Sequence, residues 1–192
     1  MTDASRTAGG GGARGGDEQR DSELIARWKG GDQRAATELV ERHAGALARF
    51  AVASGERKDV DELVQDTFVR AFNSIEGFRG ESSFRTWLFT IERRLLLDRH
   101  RAHRRRGDPV EIQENDAATE YDALDSVVAD ETQRRLRDAM TWLSPTQREV
   151  FTLRVNEGLS YKEIAEAVGT TEGAARVHYH NAMRAVKEFL DE

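Results

Sequence analysis

Residues 143–177, LSPTQREVFTLRVNEGLSYKEIAEAVGTTEGAARV, decide the fold because they carry two helix starts and one tight turn in close succession. Ser144-Pro145-Thr146-Gln147 combines a capping hydroxyl, a proline at the first helical position and a glutamine that reaches back to the cap's N–H. Ser160-Tyr161-Lys162-Glu163 repeats that capping box. The helix between them carries Val150, Phe151 and Leu153 and stops near Gly158. Ile164, Ala165 and Val168 then form the packed side of a short helix, where the small Ala165 permits a close crossing and Gly169 a sharp turn. Ala175, Tyr179, Ala182 and Val186 recur at helical spacing as the buried stripe of the next helix.

Two helices joined in this way make a helix-turn-helix, which lays its second helix in the major groove of duplex DNA. With the stripe inward, Thr171, Glu172, Gly173, Arg176, Val177 and His180 face outward where base edges would be met. Arg176 carries the chemistry best suited to a guanine edge or a phosphate. The same residues also fit an ordinary helical hairpin whose outer side is merely solvated. Glu163, Glu166 and Glu172 lie near that face, so this module alone is expected to bind duplex weakly.

Upstream of this module, Leu136, Met140 and Leu143 give one more helical stripe beginning near Glu131. The 23 residues 108–130 hold eight acidic residues and no basic one, a net charge of -8. Such a segment reads as a flexible tether whose composition keeps it solvated and extended. Gly107, Asp108 and Pro109 end the helix before it.

That helix lies in residues 78–106, FRGESSFRTWLFTIERRLLLDRHRAHRRR, where four aromatics precede seven arginines. Flat rings stack on unpaired bases while guanidinium groups hold phosphates, so the composition suits a single strand of nucleic acid. Trp87, Leu88, Ile91, Leu95 and Asp98 share one side of it, and Trp87 also reads plainly as core. Before it, Asp59 and Glu62 form a capping-box-like pair opening a helix with Leu63, Phe68, Ala71, Phe72 and Ile75 inward, which Gly77 and Gly80 end. Ala36, Leu39, Val40, His43, Leu47 and Phe50 mark another helix, from Asp32 to Gly55. A short helix is expected from Asp21 to Trp28, stopped by Gly30 and Gly31. Residues 1–20 hold six glycines and no aromatic, so disorder is expected there.

The chain of 192 residues is thus expected to be all-α: two small helical domains, residues 21–106 and 131–192, joined by an acidic linker at 107–130. Its formal charge of -6 is unequally spread, with residues 21–106 at +3 from 17 basic and 14 acidic side chains. It has no cysteine, which removes disulfides and thiolate metal sites. No signal-peptide core and no apolar run of bilayer length is present, so a cytoplasmic protein is expected. The five histidines lack a surrounding carboxylate or cysteine set, and His178 and His180 point to different sides of their helix. Neither a metal, a cofactor nor an enzymatic activity is expected.

In this order the motifs resemble the bacterial extracytoplasmic-function sigma factors, which carry only the second and fourth conserved sigma regions. DELVQDTFVRAF at 61–72 is similar to their polymerase-docking helix, FRTWLFTI at 84–91 to their promoter-melting segment, and residues 143–177 to their minus-thirty-five reading domain. The resemblance implies that Glu62, Gln65, Asp66 and Arg70 face core RNA polymerase, although they also fit a solvated helical face. It further implies that the loop from Phe78 to Phe84, with Arg79, Ser82 and Ser83, captures bases of the minus-ten nontemplate strand beside Trp87. Arg93, Arg94, Arg99 and Arg101 would then line that strand's phosphates. Glu92 and Arg94 stand where the family commonly has alanine and asparagine, and the 173–178 sequence departs from its Thr-Val-Lys-Ser-Arg pattern, so the promoter sequence does not carry over.

The expected partners are core RNA polymerase and promoter DNA, both as duplex and as melted nontemplate strand. An anti-sigma factor is a further partner that the resemblance admits. The acidic linker, with Glu111, Glu114, Asp116 and Glu120, is implied to occupy the polymerase's RNA path. Two rival readings stay open on the residues alone. A stand-alone regulator would use the helix-turn-helix and bind duplex without polymerase, and an RNA-binding adaptor would use residues 78–106 on single strands.

Overall fold

The computed structural model describes residues 11–106 and 130–191, and the expected tail at 1–10 and nearly all of the acidic linker lie outside the described residues. The protein is all-α: eight helices and one 3-10 turn, with no strand among the described residues. No described helix is long and apolar enough to cross a membrane. The chain divides into two compact units, one ending at His43 and the other beginning at Ala44.

The first unit contains helix α1 (Gly11–Lys29) and the opening half of α2 (Gln33–Ala53). Helix therefore begins well before Asp21, contrary to the disorder expected through residue 20. Long-range pairing offsets the weak glycine propensity: Arg20 binds Glu38 at 2.6 Å and Asp17 binds Arg42 at 3.0 Å. Asp21, expected to cap the helix, instead lies buried within it, 2.9 Å from both Arg42 Nε and His43 Nε2. Burial pushes its carboxyl up, but hydrogen bonds from His43 and Arg42 outweigh that and hold it below the usual carboxylate range. Gly31, at φ 92°, makes the turn between the helices, where Asp32 takes Arg27 at 2.7 Å.

The second unit runs from the end of α2 through α3 (Val60–Asn73), a 3-10 turn (Ile75–Gly77), α4 (Phe84–Arg106), α5 (Asp130–Thr141), α6 (Pro145–Val155), α7 (Tyr161–Val168) and α8 (Glu172–Asp191). The capping box expected at Asp59 and Glu62 does not form. Glu56 replaces it, its carboxylate accepting from the N–H groups of Arg57, Lys58 and Asp59. Both boxes downstream do form, at Ser144 with Gln147 and at Ser160 with Glu163. Each such cap is worth about 1 kcal/mol.

Helix α4 is the pivot of this unit, because it packs against both α3 and α7. Its burial is accordingly wider than one stripe: Phe84, Thr86, Leu88, Phe89, Ile91, Glu92 and Leu96 are all covered. Phe89 meets Phe50 edge-on at 5.2 Å. Asp98, expected on the inner side, is exposed and pairs with Arg101 at 3.4 Å. In the last four helices, Ala139, Leu143, Phe151, Ala182 and Val186 form a core that α5, α6 and α8 share.

Candidate nucleic-acid interface

Gly169 ends α7 in the left-handed conformation, φ 65° and ψ 46°, a turn that any side chain would strain. It redirects the chain so that α8 crosses α7, with Ala175, Ala182 and Val186 inward. Thr171 caps α8, its hydroxyl accepting from Ala174 N–H at 3.1 Å. Glu172, Gly173, Arg176, Val177 and His180 are exposed along the first half of α8, and Val177 is 59% exposed. Arg176 is already positioned. Its guanidinium lies 4.9 Å from the Tyr161 ring centroid and pairs with Glu172 at 3.0 Å. Arg154 stands over the same ring at the same distance.

The loop before α4 is organised by rings. Phe78, Phe84 and Trp87 meet mutually, with centroids 5.0 to 5.8 Å apart. Phe84 is 3% exposed, whereas Phe78 and Trp87 are half-buried. Gly80, at φ 71°, turns the loop, and the Ser83 hydroxyl then takes the Thr86 N–H at 3.1 Å to start α4. Arg79 stands 4.0 Å from Glu81 at the loop's exposed edge.

Along α4 the arginines meet carboxylates. Arg85 and Arg49 share Glu157, Arg93 takes Glu149 at 3.0 Å, and Arg99 takes Asp66 at 2.8 Å and Glu62 at 3.2 Å. Glu92 is fully buried and neither oxygen has a hydrogen-bond partner among the described residues. Burial pushes its carboxyl well above the usual carboxylate range.

Comparison with known proteins fixes the family. Residues 39–106 match Sigma-70 region 2 and residues 133–186 match Sigma-70, region 4. The chain is 32% identical over 141 residues to the ECF RNA polymerase sigma-E factor of Haemophilus influenzae, covering 68% of this chain and 74% of that protein. It belongs to the extracytoplasmic-function group of the sigma-70 family.

Two solved structures are similar to it. CnrH, in complex with the cytosolic domain of CnrY, has a TM-score of 0.66 at 29% identity, covering 90% of this chain and 97% of that one. The sigma factor RpoE of Bartonella quintana, in complex with the anti-sigma factor NepR, has 0.65 at 25% identity, covering 81% and 96%. As a sigma factor, this protein is not an enzyme. It acts with RNA polymerase in promoter-specific transcription initiation, and its partners are that polymerase and promoter DNA.

The sigma factor's expected site residues fall into three groups. Those of α8 share one exposed surface. On α3, Glu62, Gln65 and Arg70 are exposed and Asp66 is half-buried, with Val69 exposed beside them. The minus-ten set is divided: Arg79, Arg94 and Arg101 are exposed, while Phe84 is buried and Arg93 and Arg99 are engaged with carboxylates. Phe84 thus supports Phe78 and Trp87 and does not present its ring to solvent. Sequence reasoning missed Arg49, Arg85, Glu149 and Glu157, because nothing local marks partners separated by 56 to 108 positions. It also missed Tyr161 as the ring beneath Arg176. A sharper signal was available there, since Arg154, Tyr161 and Arg176 are three flat, stackable groups on a helix-turn-helix.

Proposed function

We propose that this sigma factor divides promoter recognition between α8 and α4. On this reading α8 enters the major groove at the minus-thirty-five element, and Thr171, Glu172, Gly173, Arg176, Val177 and His180 form its reading face. The loop from Phe78 to Phe84, with Trp87 behind it, receives unstacked bases of the minus-ten nontemplate strand, and the α4 arginines attract its phosphates. Glu62, Gln65, Asp66 and Arg70 turn toward core polymerase. Residues 21–106 and 131–192 act as the two recognition domains, tethered by the acidic linker.

One observation carries this reading: an aromatic cluster at the head of an arginine-rich helix stands in the same chain as a capped, exposed recognition helix. Unstacking a base costs a few kcal/mol, which ring stacking and phosphate contacts recover. Promoter opening by this protein therefore needs no catalytic group of its own. An anti-sigma factor is a further proposed partner, supported by the RpoE complex with NepR.

Run-off transcription from a genomic library, with core polymerase alone and with this protein added, tests the reading and identifies the promoter. Promoter-specific transcripts that appear only with the protein support it. On such a promoter, permanganate footprinting of the minus-ten region reports opening. Specific binding without opened thymines would remove the melting role and leave only recruitment.

A further inference from the structure

Two residues on the exposed face of α8, Gly173 and Val177, are not called for by the protein's own fold. Val177 is 59% exposed, an apolar side chain on a face whose other large members, Glu172, Arg176 and His180, are polar or charged. Gly173 lies in the first turn of the same helix without the positive φ that would demand glycine. A Cβ built on it meets no atom within 4 Å among the described residues. Glycine weakens a helix relative to alanine, so neither backbone conformation nor packing accounts for its presence. The two positions are one helical turn apart on one side, and a helical side chain leans over the turn before its own Cα. The Val177 isopropyl group therefore borders an open notch above Gly173. Arg176 is fixed beside it, with its guanidinium 4.9 Å from the Tyr161 ring centroid and 3.0 Å from the Glu172 carboxylate. Arg154, over the same ring, is itself tied to the Leu159 carbonyl at 2.7 Å.

We infer that Val177 is a specificity-determining residue that reads the C5 methyl group of a thymine in the upstream promoter element, with Gly173 letting the helix come close enough for contact. The inference rests on the reading of α8 as the helix that enters the major groove at that element. Valine offers neither a donor nor an acceptor, and the thymine methyl is the apolar feature that an unmodified base pair presents in that groove. The amino group of a cytosine pressed against Val177 would lose its water and gain no partner. The contact therefore selects against that edge as well as for the methyl. A Cβ at position 173 would hold the helix off the groove floor. Adjacent Cα atoms are about 3.8 Å apart and base pairs step by about 3.4 Å, so the thymine lies on the base pair that Arg176 contacts or on its neighbour.

A promoter recovered by the run-off experiment supplies the probe, bound by holoenzyme reconstituted with the full chain. Replacing each thymine of its upstream element in turn by uracil removes the methyl and leaves every hydrogen-bonding group in place. One such replacement is expected to weaken binding about fourfold, the effect of one buried methyl group. Val177→Ala is expected to lose about as much on the thymine promoter and to be indifferent to that uracil. Gly173→Ala is expected to bind about tenfold more weakly while its denaturation midpoint equals or exceeds the parent's, which a misfolded variant would not show. If scrambling the element weakens binding but no uracil does, the thymine contact is overturned and α8 remains the reading helix. A uracil penalty of equal size in Val177→Ala overturns Val177 as the reader. Full affinity in Gly173→Ala overturns the close approach. A gain from 5-methylcytosine at a cytosine of the element, with no loss from uracil, moves the contact to a methylated cytosine and overturns the thymine assignment. Indifference to scrambling would refute the α8 reading itself.

Discussion

Helices α8 and α4 of this sigma factor differ in what their cations touch. On α8, Arg176 rests on a ring and a neighbouring glutamate one turn away, with its surface open to a duplex. On α4, Arg85 and Arg93 are held by carboxylates 56 or more positions distant in the chain, and Phe84 is sealed under two other rings. A surface built from local contacts stands open as folded, whereas one built across the tertiary structure has its charges already paired within the protein.

The largest effect that separates the two helices is expected at Phe84. Phe84→Ala should cost about 3–5 kcal/mol in chemical denaturation, because it empties a buried aromatic site. Val177→Ala on α8 should stay within about 0.5 kcal/mol. Comparable losses at the two positions would erase the distinction between a sealed and an open surface. In transcription assays Phe84→Ala is also expected to reduce opening more than initial promoter binding.

Next comes Arg176. Its replacement by alanine should weaken holoenzyme binding to a cognate promoter by about 1–3 kcal/mol, roughly tenfold to a hundredfold. Scrambling the upstream element should abolish the difference between parent and variant if the contact reads a base. An equal loss on both DNAs would reassign Arg176 to a phosphate.

Glu92 sharpens the α4 side of the comparison through pH. Its folded carboxyl holds its proton to higher pH than the unfolded one, so the folded state binds more protons in between. The associated stability is complete below the ordinary carboxylate value and is lost as pH rises through the raised one. Glu92→Gln should remove this slope and be more stable at pH 8 by on the order of 1 kcal/mol. Parallel stability-against-pH curves for the two proteins would contradict the burial of an ionisable group there.

The smallest effect concerns Arg99, which spans α4 and α3 through mostly exposed partners. Arg99→Gln should cost under about 1 kcal/mol and leave the salt dependence of promoter binding unchanged. Arg94→Gln, at an exposed position, should instead reduce that dependence by about one phosphate contact. A reversal of the two salt slopes would return Arg99 to the strand and remove Arg94 from it.

What was legible beforehand follows contact range. The helix-turn-helix could be read from Ser160, Glu163, Gly169 and the 175–186 stripe because every contact that defines it lies within a few residues or one helical turn. The pairing of Glu62 and Asp66 with Arg99 was not legible, nor was the replacement of the Asp59 cap by Glu56. Each depends on which of several equivalent charges lies nearest in space. The early start of α1 was hidden for the same reason, since its glycines argue against helix and only Glu38 and Arg42 supply the compensation.

By itself, the sequence determined the all-helical class, the two capping boxes that start α6 and α7, and the membership in a family that works through polymerase, since periodicity, capping and turn chemistry are short-range properties. Only the tertiary structure decided that Glu157 is buried beneath two arginines, that Phe84 is support and that Glu92 is sealed without a partner. Solvent exclusion is a property of the assembled packing. The same carboxylate or ring is inert on a wet helix and decisive once water is removed from around it.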